Sequence, residues 1–269
     1  MLARVRSLLR AVHEPDRGRS RPRSKPHALA DRRPYDTAGA MPGADDNAAA
    51  VAIALGVAGR LAAEPARRDV VIALFDAEEP PYYLTDAMGS TWFYRQQRRS
   101  EFQAALIMDL VGHDVPLPAL GDLLFITGME SSPCLEGAVR GVPSLDGLRI
   151  VTALNRYVGD VSDHHVFRQN GTPYLFMSCG RWEHYHLPSD TPEKLDYLKM
   201  ARIARLLEHL VRHLADGEDC VSEVYDTTPT DLALMRANLG PVAEALGLPL
   251  ESRADIDRVA GMLNTFLGI

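Results

Sequence analysis

Five short apolar runs recur along this chain at intervals that leave room for helices between them. They are "VVIALF" (70–75), "AALIMDLV" (104–111), "LLFITGM" (123–129), "LRIVTAL" (148–154) and "PYLFMSC" (173–179). Each is apolar on consecutive positions, the pattern of a strand buried on both faces. The intervening sequence predicts helices over 46–63, 90–99, 133–140, 164–169 and 192–215. "SDTPE" supplies an Asp/Thr cap and a proline at the first helical position for the last of these. Such alternation constrains the fold to α/β: a mainly parallel, mixed central sheet with helices on both faces. A chain of 269 residues is long enough to bury one such domain and carry an appendage.

The two ends read differently. Residues 218–269 contain no strand-like run; "TTPTDLALMRANLGPVAEALG" and "SRADIDRVAGMLNTFLG" predict two capped amphipathic helices. Ser252 and Asp255 resemble a capping box with Asp in place of Glu. This C-terminal helical appendage either covers the domain or joins subunits, and the oligomeric state is left open. Residues 1–33, rich in Arg, Pro and Ser, read as a disordered basic head, which leaves 34–217 as the α/β domain. The net charge of −7 conceals this division: residues 1–34 carry +7 and the remainder −14. A nucleic-acid role could rest only on the head, which lacks interleaved aromatics, so no nucleic-acid partner is expected. No apolar run approaches the length of a membrane span, and Arg6 and Arg10 interrupt what could have been a signal peptide. Cys134, Cys179 and Cys220 are widely spaced and odd in number, so they read as buried thiols in a reducing, cytoplasmic setting.

Four islands contain the chemistry. In "PGADDNAAA" a glycine turn delivers two aspartates at a helix start, where an aspartate ordinarily serves as a cap. In "VVIALFDAEEPP" a buried strand ends in Asp76, Glu78 and Glu79. Catalytic groups of α/β sheets gather beyond the carboxyl ends of strands, and adjacent acids there need a cation or a proton to offset their repulsion. In "IMDLVGHD", Asp109 sits in an apolar strand where an unpaired carboxylate is costly, and His113 reads as a surface residue of the following loop. "GRWEHYHLPSDTPEK" places His184 and His186 just before the capped helix, and "GDVSDHHVF" adds Asp163, His164 and His165. Carboxylates and histidines at successive strand ends match a zinc site built from oxygen and nitrogen ligands.

In order, "YDT…PGADDN", "FDAEE", "MDLVG", "SDHHVF" and "YHLPSDT" resemble the two-zinc aminopeptidases and the related single-zinc glutaminyl cyclases, over about residues 34–217. The resemblance implies that Asp46 bridges two zinc ions and that Glu79 and His186 complete one of them. Asp109 would serve the other, Glu78 would be the general base that takes a proton from the attacking water, and Tyr185 would stabilise the oxyanion. Asp163 and His164 would support the site or contact substrate. The implied reaction is release of N-terminal residues from peptide substrates. A glutaminyl cyclase-like acyltransferase and a non-catalytic protein on a peptidase fold are the alternatives.

The departure is Pro34. The family's His-Tyr-Asp-Thr stands here as "PYDT", so the second zinc lacks a nitrogen ligand and Asp36, which would orient that histidine, has no evident client. His27 is the nearest upstream histidine, without spacing to support it as a substitute. One retained zinc, an inactive protein and a reading-frame error compete as explanations. For the last, Ile-Gly-Ala-His encoded ATC-GGC-GCC-CAC, read one base early after a G, gives the Asp-Arg-Arg-Pro of "DRRP". The chain as written is expected to hold about one zinc or less, with weak peptidase activity. Pro34→His should raise both in metal analysis and aminoacyl-anilide assays; two tightly held zincs in the unmutated chain would point to another ligand.

Overall fold

The computed structural model describes residues 37–96, 102–117 and 119–267. Four of the five apolar runs form strands: β1 (Ala105–Met108), β2 (Leu123–Thr127), β3 (Arg149–Ala153) and β4 (Tyr174–Ser178), in the order β1-β4-β2-β3. β1 runs parallel to β4 and β2 parallel to β3, while β2 and β4 are antiparallel. The central β4 is buried at every position. Its Tyr174 and Phe176 pack with Ala105, Ile107 and Phe167. Its Leu175 and Met177 belong to the larger core with Ile203 and Leu206. Successive side chains of a strand point to opposite faces, so the run in β4 is largely apolar because both of its faces are covered.

The cover consists of α1 (Ala50–Ala63), α2 (Gly89–Gln96), α3 (Pro133–Arg140), α4 (His164–Gln169), α5 (Tyr197–Asp216), α6 (Thr228–Ala245) and α7 (Arg253–Leu267). α5 buries Met200, Ile203, Leu207, Leu210 and Leu214, a 3-4 spaced stripe, and packs against α1 and α3. α6 lies on β3 and α7 on α6. Asn238 Nδ2 donates to the Ile150 carbonyl at 2.7 Å and the Thr152 hydroxyl to Asp231 at 2.6 Å, joining this helical pair to the strand.

Several expectations need correction. The run 70–75 pairs with no strand among the described residues; it forms no regular secondary structure and is partly exposed. The helix expected from Pro192 is only a single turn at Pro192–Lys194. α5 begins later because Asp196 donates its N–H to the Gly112 carbonyl at 2.8 Å, docking the chain on the loop after β1. Asp196 is then the cap, accepting from Leu198 and Lys199 at 2.8 and 3.0 Å. The helical stretch Ala44–Ala63 is long and apolar enough to cross a membrane by length and composition. It nevertheless begins with two buried aspartates and packs on α5, as a core helix does.

Cys134 and Cys220 are disulfide-bonded, with Cα atoms 5.4 Å apart, and among the three cysteines only Cys179 is a buried thiol. The bond ties α3 to the strand-free segment that leads into α6. Its removal by Cys134→Ser with Cys220→Ser should cost roughly 2–4 kcal/mol, read as a lower urea midpoint. An unchanged midpoint would mean that the bonds from Ser132 Oγ to the Val221 carbonyl (2.6 Å) and from Glu223 N to the Ser131 carbonyl (3.2 Å) already hold this junction.

Candidate metal centre

Helical geometry fails in the turn Ala44–Ala49 at Asp46 (φ −108°, ψ 83°) and Asn47 (φ −135°, ψ 35°). The aspartates here do not cap α1. Asp190, beyond the last strand, accepts the N–H groups of Asp45 (2.9 Å) and Asp46 (3.2 Å). Asn47 Nδ2 reaches the Met108 carbonyl at the end of β1 (3.2 Å). Asp45 is fully buried and accepts from Gly112 N at 2.6 Å and His113 Nδ1 at 2.7 Å. His113 is therefore no surface residue: it is 1% exposed and stacks on Trp182 with ring centroids 4.5 Å apart. Gly112 has to be glycine, because a Cβ there would stand 2.7 Å from Asp45 Oδ1 and Ala49 Cβ.

These tethers present Asp46 to Glu79 and His186. His186 Nε2 lies 3.0 Å from Asp46 Oδ2 and 2.9 Å from Glu79 Oε1, and one ligand atom from each residue falls within 4.8 Å of the others. Ligands about 2.0 Å from a tetrahedral zinc are about 3.3 Å from one another, so a small relaxation would fit this trio around one ion. One imidazole and two carboxylates are a donor set suited to that metal. Among the described residues this is the group of three or more such side chains that could hold a metal.

Beside it is a recess of about 40 Å³, lined by Asp46, Glu78, Glu79, Asp109, Arg181 and Tyr185 among others. Burial, followed by the Glu79 carboxylate, pushes Asp46 up to about 8. Burial and then Asp109 and Asp163 push Glu78 up to about 10. Asp109 rises to about 7 through burial and Asp46, although Ser162 and the Leu110 N–H donate to it. Burial holds His186 below its ordinary range. Tyr185 stacks on His186 at 3.8 Å between centroids, with the Arg181 guanidinium 4.8 Å from its ring centroid. Burial raises the Tyr185 phenol.

Of the remaining sequence candidates, Asp163 faces the same acidic cluster, since it contributes to the Glu78 shift. His164 does not: it is buried, its Nε2–H donates to the Gly159 carbonyl (2.8 Å), and it stacks on Phe176. Burial lowers it to about 4, which makes it a neutral core histidine. His184 bonds Ser189 Oγ at 2.9 Å and packs edge-on against Trp182. Pro34, Asp36 and His27 lie outside the described residues. Asp190, Asp45 and Arg181 are the residues that sequence reasoning missed. The first two carried only a capping signal, and Arg181 carried none.

The model of peptidase family M28 matches residues 34–211. The chain belongs to that family. A protein of Escherichia coli named as uncharacterized protein YfbL is 26% identical over 189 residues, covering 60% of this chain and 57% of that one. The LapA aminopeptidase of Legionella pneumophila superposes with a TM-score of 0.54 at 17% identity, covering 66% of this chain and 48% of its own. The zinc aminopeptidase BSAP of Bacillus subtilis gives 0.52 at 18% identity, covering 69% and 46%. These structural likenesses establish the fold. The chain spans about half the length of these relatives.

The raised carboxylates set a pH dependence for the metal-free protein. Each stabilises the fold fully below its unfolded value of about 4, and that contribution is lost as pH rises through about 7 to 10. Thermal unfolding in a chelator should therefore show a lower Tm at pH 8 than at pH 5. Added zinc should raise Tm more at pH 8, where protons no longer compete for the ligands. A chelated protein equally stable at both values would remove the acidic crowding.

Proposed function

We propose that this chain is a metallo-aminopeptidase that hydrolyses N-terminal peptide bonds, with zinc held by Asp46, Glu79 and His186. The observation that carries the proposal is the division of labour between two adjacent glutamates. Ala77, two residues beyond the 70–75 segment, takes a left-handed backbone conformation (φ 55°). Glu79 then joins Asp46 and His186 while Glu78 faces Asp109 and Asp163. Zinc in that cluster would lower the pKa of a water to about 7 and polarise the scissile carbonyl. Glu78, buried beside it but outside the trio, is placed to take the proton and return it to the leaving amine. Its elevated pKa keeps it protonated until a cation offsets its neighbours. The Tyr185 phenol, held neutral by burial and fixed between Arg181 and His186, can donate to a developing oxyanion. Acidic residues around the recess would also favour a substrate's free ammonium group.

Glu78→Gln should keep its zinc and lose roughly 10²–10⁴ in turnover of an aminoacyl-anilide, whereas Glu79→Ala and His186→Ala should lose the metal itself. Unaltered turnover in Glu78→Gln would eliminate the proposed base. The compact three-ligand trio also suits a single-zinc acyltransferase. Cyclisation of a glutaminyl peptide without anilide hydrolysis would favour that reading, and a protein that never acquires zinc would favour a non-catalytic role.

A further inference from the structure

Toward its C-terminal end, α5 carries two histidines, His209 and His213, in "EHLVRH" (208–213). Residues four apart on a helix are neighbours on one face, and two imidazoles at that spacing can chelate a single ion. On a solvated helix face such a pair is usually two independent rings, but three features separate this one from that case. His209 is half-buried, and its Nε2 is closed off from solvent with no hydrogen-bond partner among the described residues. A buried polar atom left in that state calls for an ion or a water. The wall opposite the rings is glycine. A Cβ on Gly137 of α3 would stand 3.6 Å from His213 Nε2, and one on Gly141, just after α3, 3.5 Å from His209 Nε2. Any other residue at these positions would fill the space against the ring nitrogens. The rings are also close to a chelating arrangement, with centroids 6.3 Å apart and planes inclined by 34°. Two imidazoles on one tetrahedral zinc, with Zn–N bonds of about 2.0–2.1 Å, have centroids about 5 Å apart, so a modest side-chain rotation closes the pair.

We propose that His209 and His213 form a second metal site, an open two-imidazole chelate for a divalent transition ion of the Cu²⁺, Ni²⁺ or Zn²⁺ type. Imidazole suits these ions, whereas Mg²⁺ and Ca²⁺ prefer oxygen ligands. Among the described residues no third His, Cys, Asp or Glu completes the pair. His213 is exposed, so water can take the remaining positions. The electrostatic setting is permissive. His213 lies in the last turn of α5, where unpaired carbonyls favour a cation. Arg212 is turned toward Glu208 (3.1 Å) and the Glu64 carbonyl (3.0 Å). Burial, followed by His213, holds His209 below its ordinary range, so near neutral pH it offers a lone pair rather than a proton. None of the residues lining the acidic recess belongs to α3 or α5. An ion held here would therefore add to a metal analysis without belonging to the Asp46 centre, and neither histidine takes part in the proposed peptidase chemistry.

The test uses the full chain carrying His186→Ala, which removes the imidazole of the Asp46 trio, in equilibrium dialysis against Ni²⁺ and Cu²⁺. Saturable binding of one ion per chain is expected. Adding His209→Ala or His213→Ala should keep the circular dichroism and weaken binding roughly tenfold or more, the least that loss of even a supporting group costs a metal site. Electron paramagnetic resonance of the Cu²⁺ form should show coupling to two imidazole nitrogens, a measurement that needs no substitution in α5. No saturable binding, undiminished affinity in either added variant, or a Cu²⁺ signal without two coupled nitrogens would overturn the proposal, because the ion would then be absent or held by other groups.

Discussion

Two buried carboxylates, Asp45 and Asp190, hold the acidic end of this molecule together. Asp190 gathers the N–H groups of Asp45 and Asp46, and Asp45 spends its own oxygens on Gly112 and His113. Each bond crosses a long stretch of sequence, so the turn before α1, the loop after β1 and the segment before α5 are fixed to one another. Charge-assisted bonds of this sort are stronger than neutral ones, and removing one partner leaves a buried group without compensation. The position of Asp46 is thus a property of three loops at once.

The second organising constraint is crowding. Asp46, Glu78, Glu79 and Asp109 converge beyond the ends of two apolar segments, around a small recess that Arg181 also lines. Backbone strain marks the same place. Of the five non-glycine residues with positive φ among the described residues, Ala77, Leu110 and His186 are at or beside the cluster. Left-handed geometry costs a non-glycine residue about 1–3 kcal/mol. The fold tolerates that cost where a side chain must be aimed: Ala77 separates the 70–75 segment from the two glutamates, Leu110 follows Asp109, and His186 is itself a candidate ligand.

Much of this was legible in the sequence, for identifiable reasons. Runs such as "YLFMSC" are apolar on both faces and short, so β4 could be placed within a residue or so. The grouping of Asp46, Glu79 and His186 was implied by the resemblance of the ordered motifs to a known family, and the fold brings these three side chains together. The cases that were not legible share a cause. Asp45, Asp190 and His113 act through partners 67 or more positions away, and locally each has a simpler reading as a cap or a loop residue. The two cysteines 86 residues apart were hidden in the same way. The run 70–75 read as a strand because its composition is that of one; whether it pairs depends on a neighbour that its own residues do not encode.

The stack of Trp182 on His113 gives the molecule an internal optical gauge. The protein has two tryptophans. Trp92 is 60% exposed on α2 and reports on solvent. Trp182 rests 4.5 Å from the imidazole that grips Asp45, one residue from Asp46. An indole is sensitive to the orientation of a ring stacked on it, so a shift of the Asp45–His113 tether would appear in the emission of Trp182 rather than Trp92. The state of the ligand turn can therefore be followed by its intrinsic fluorescence, without a substrate and without a label.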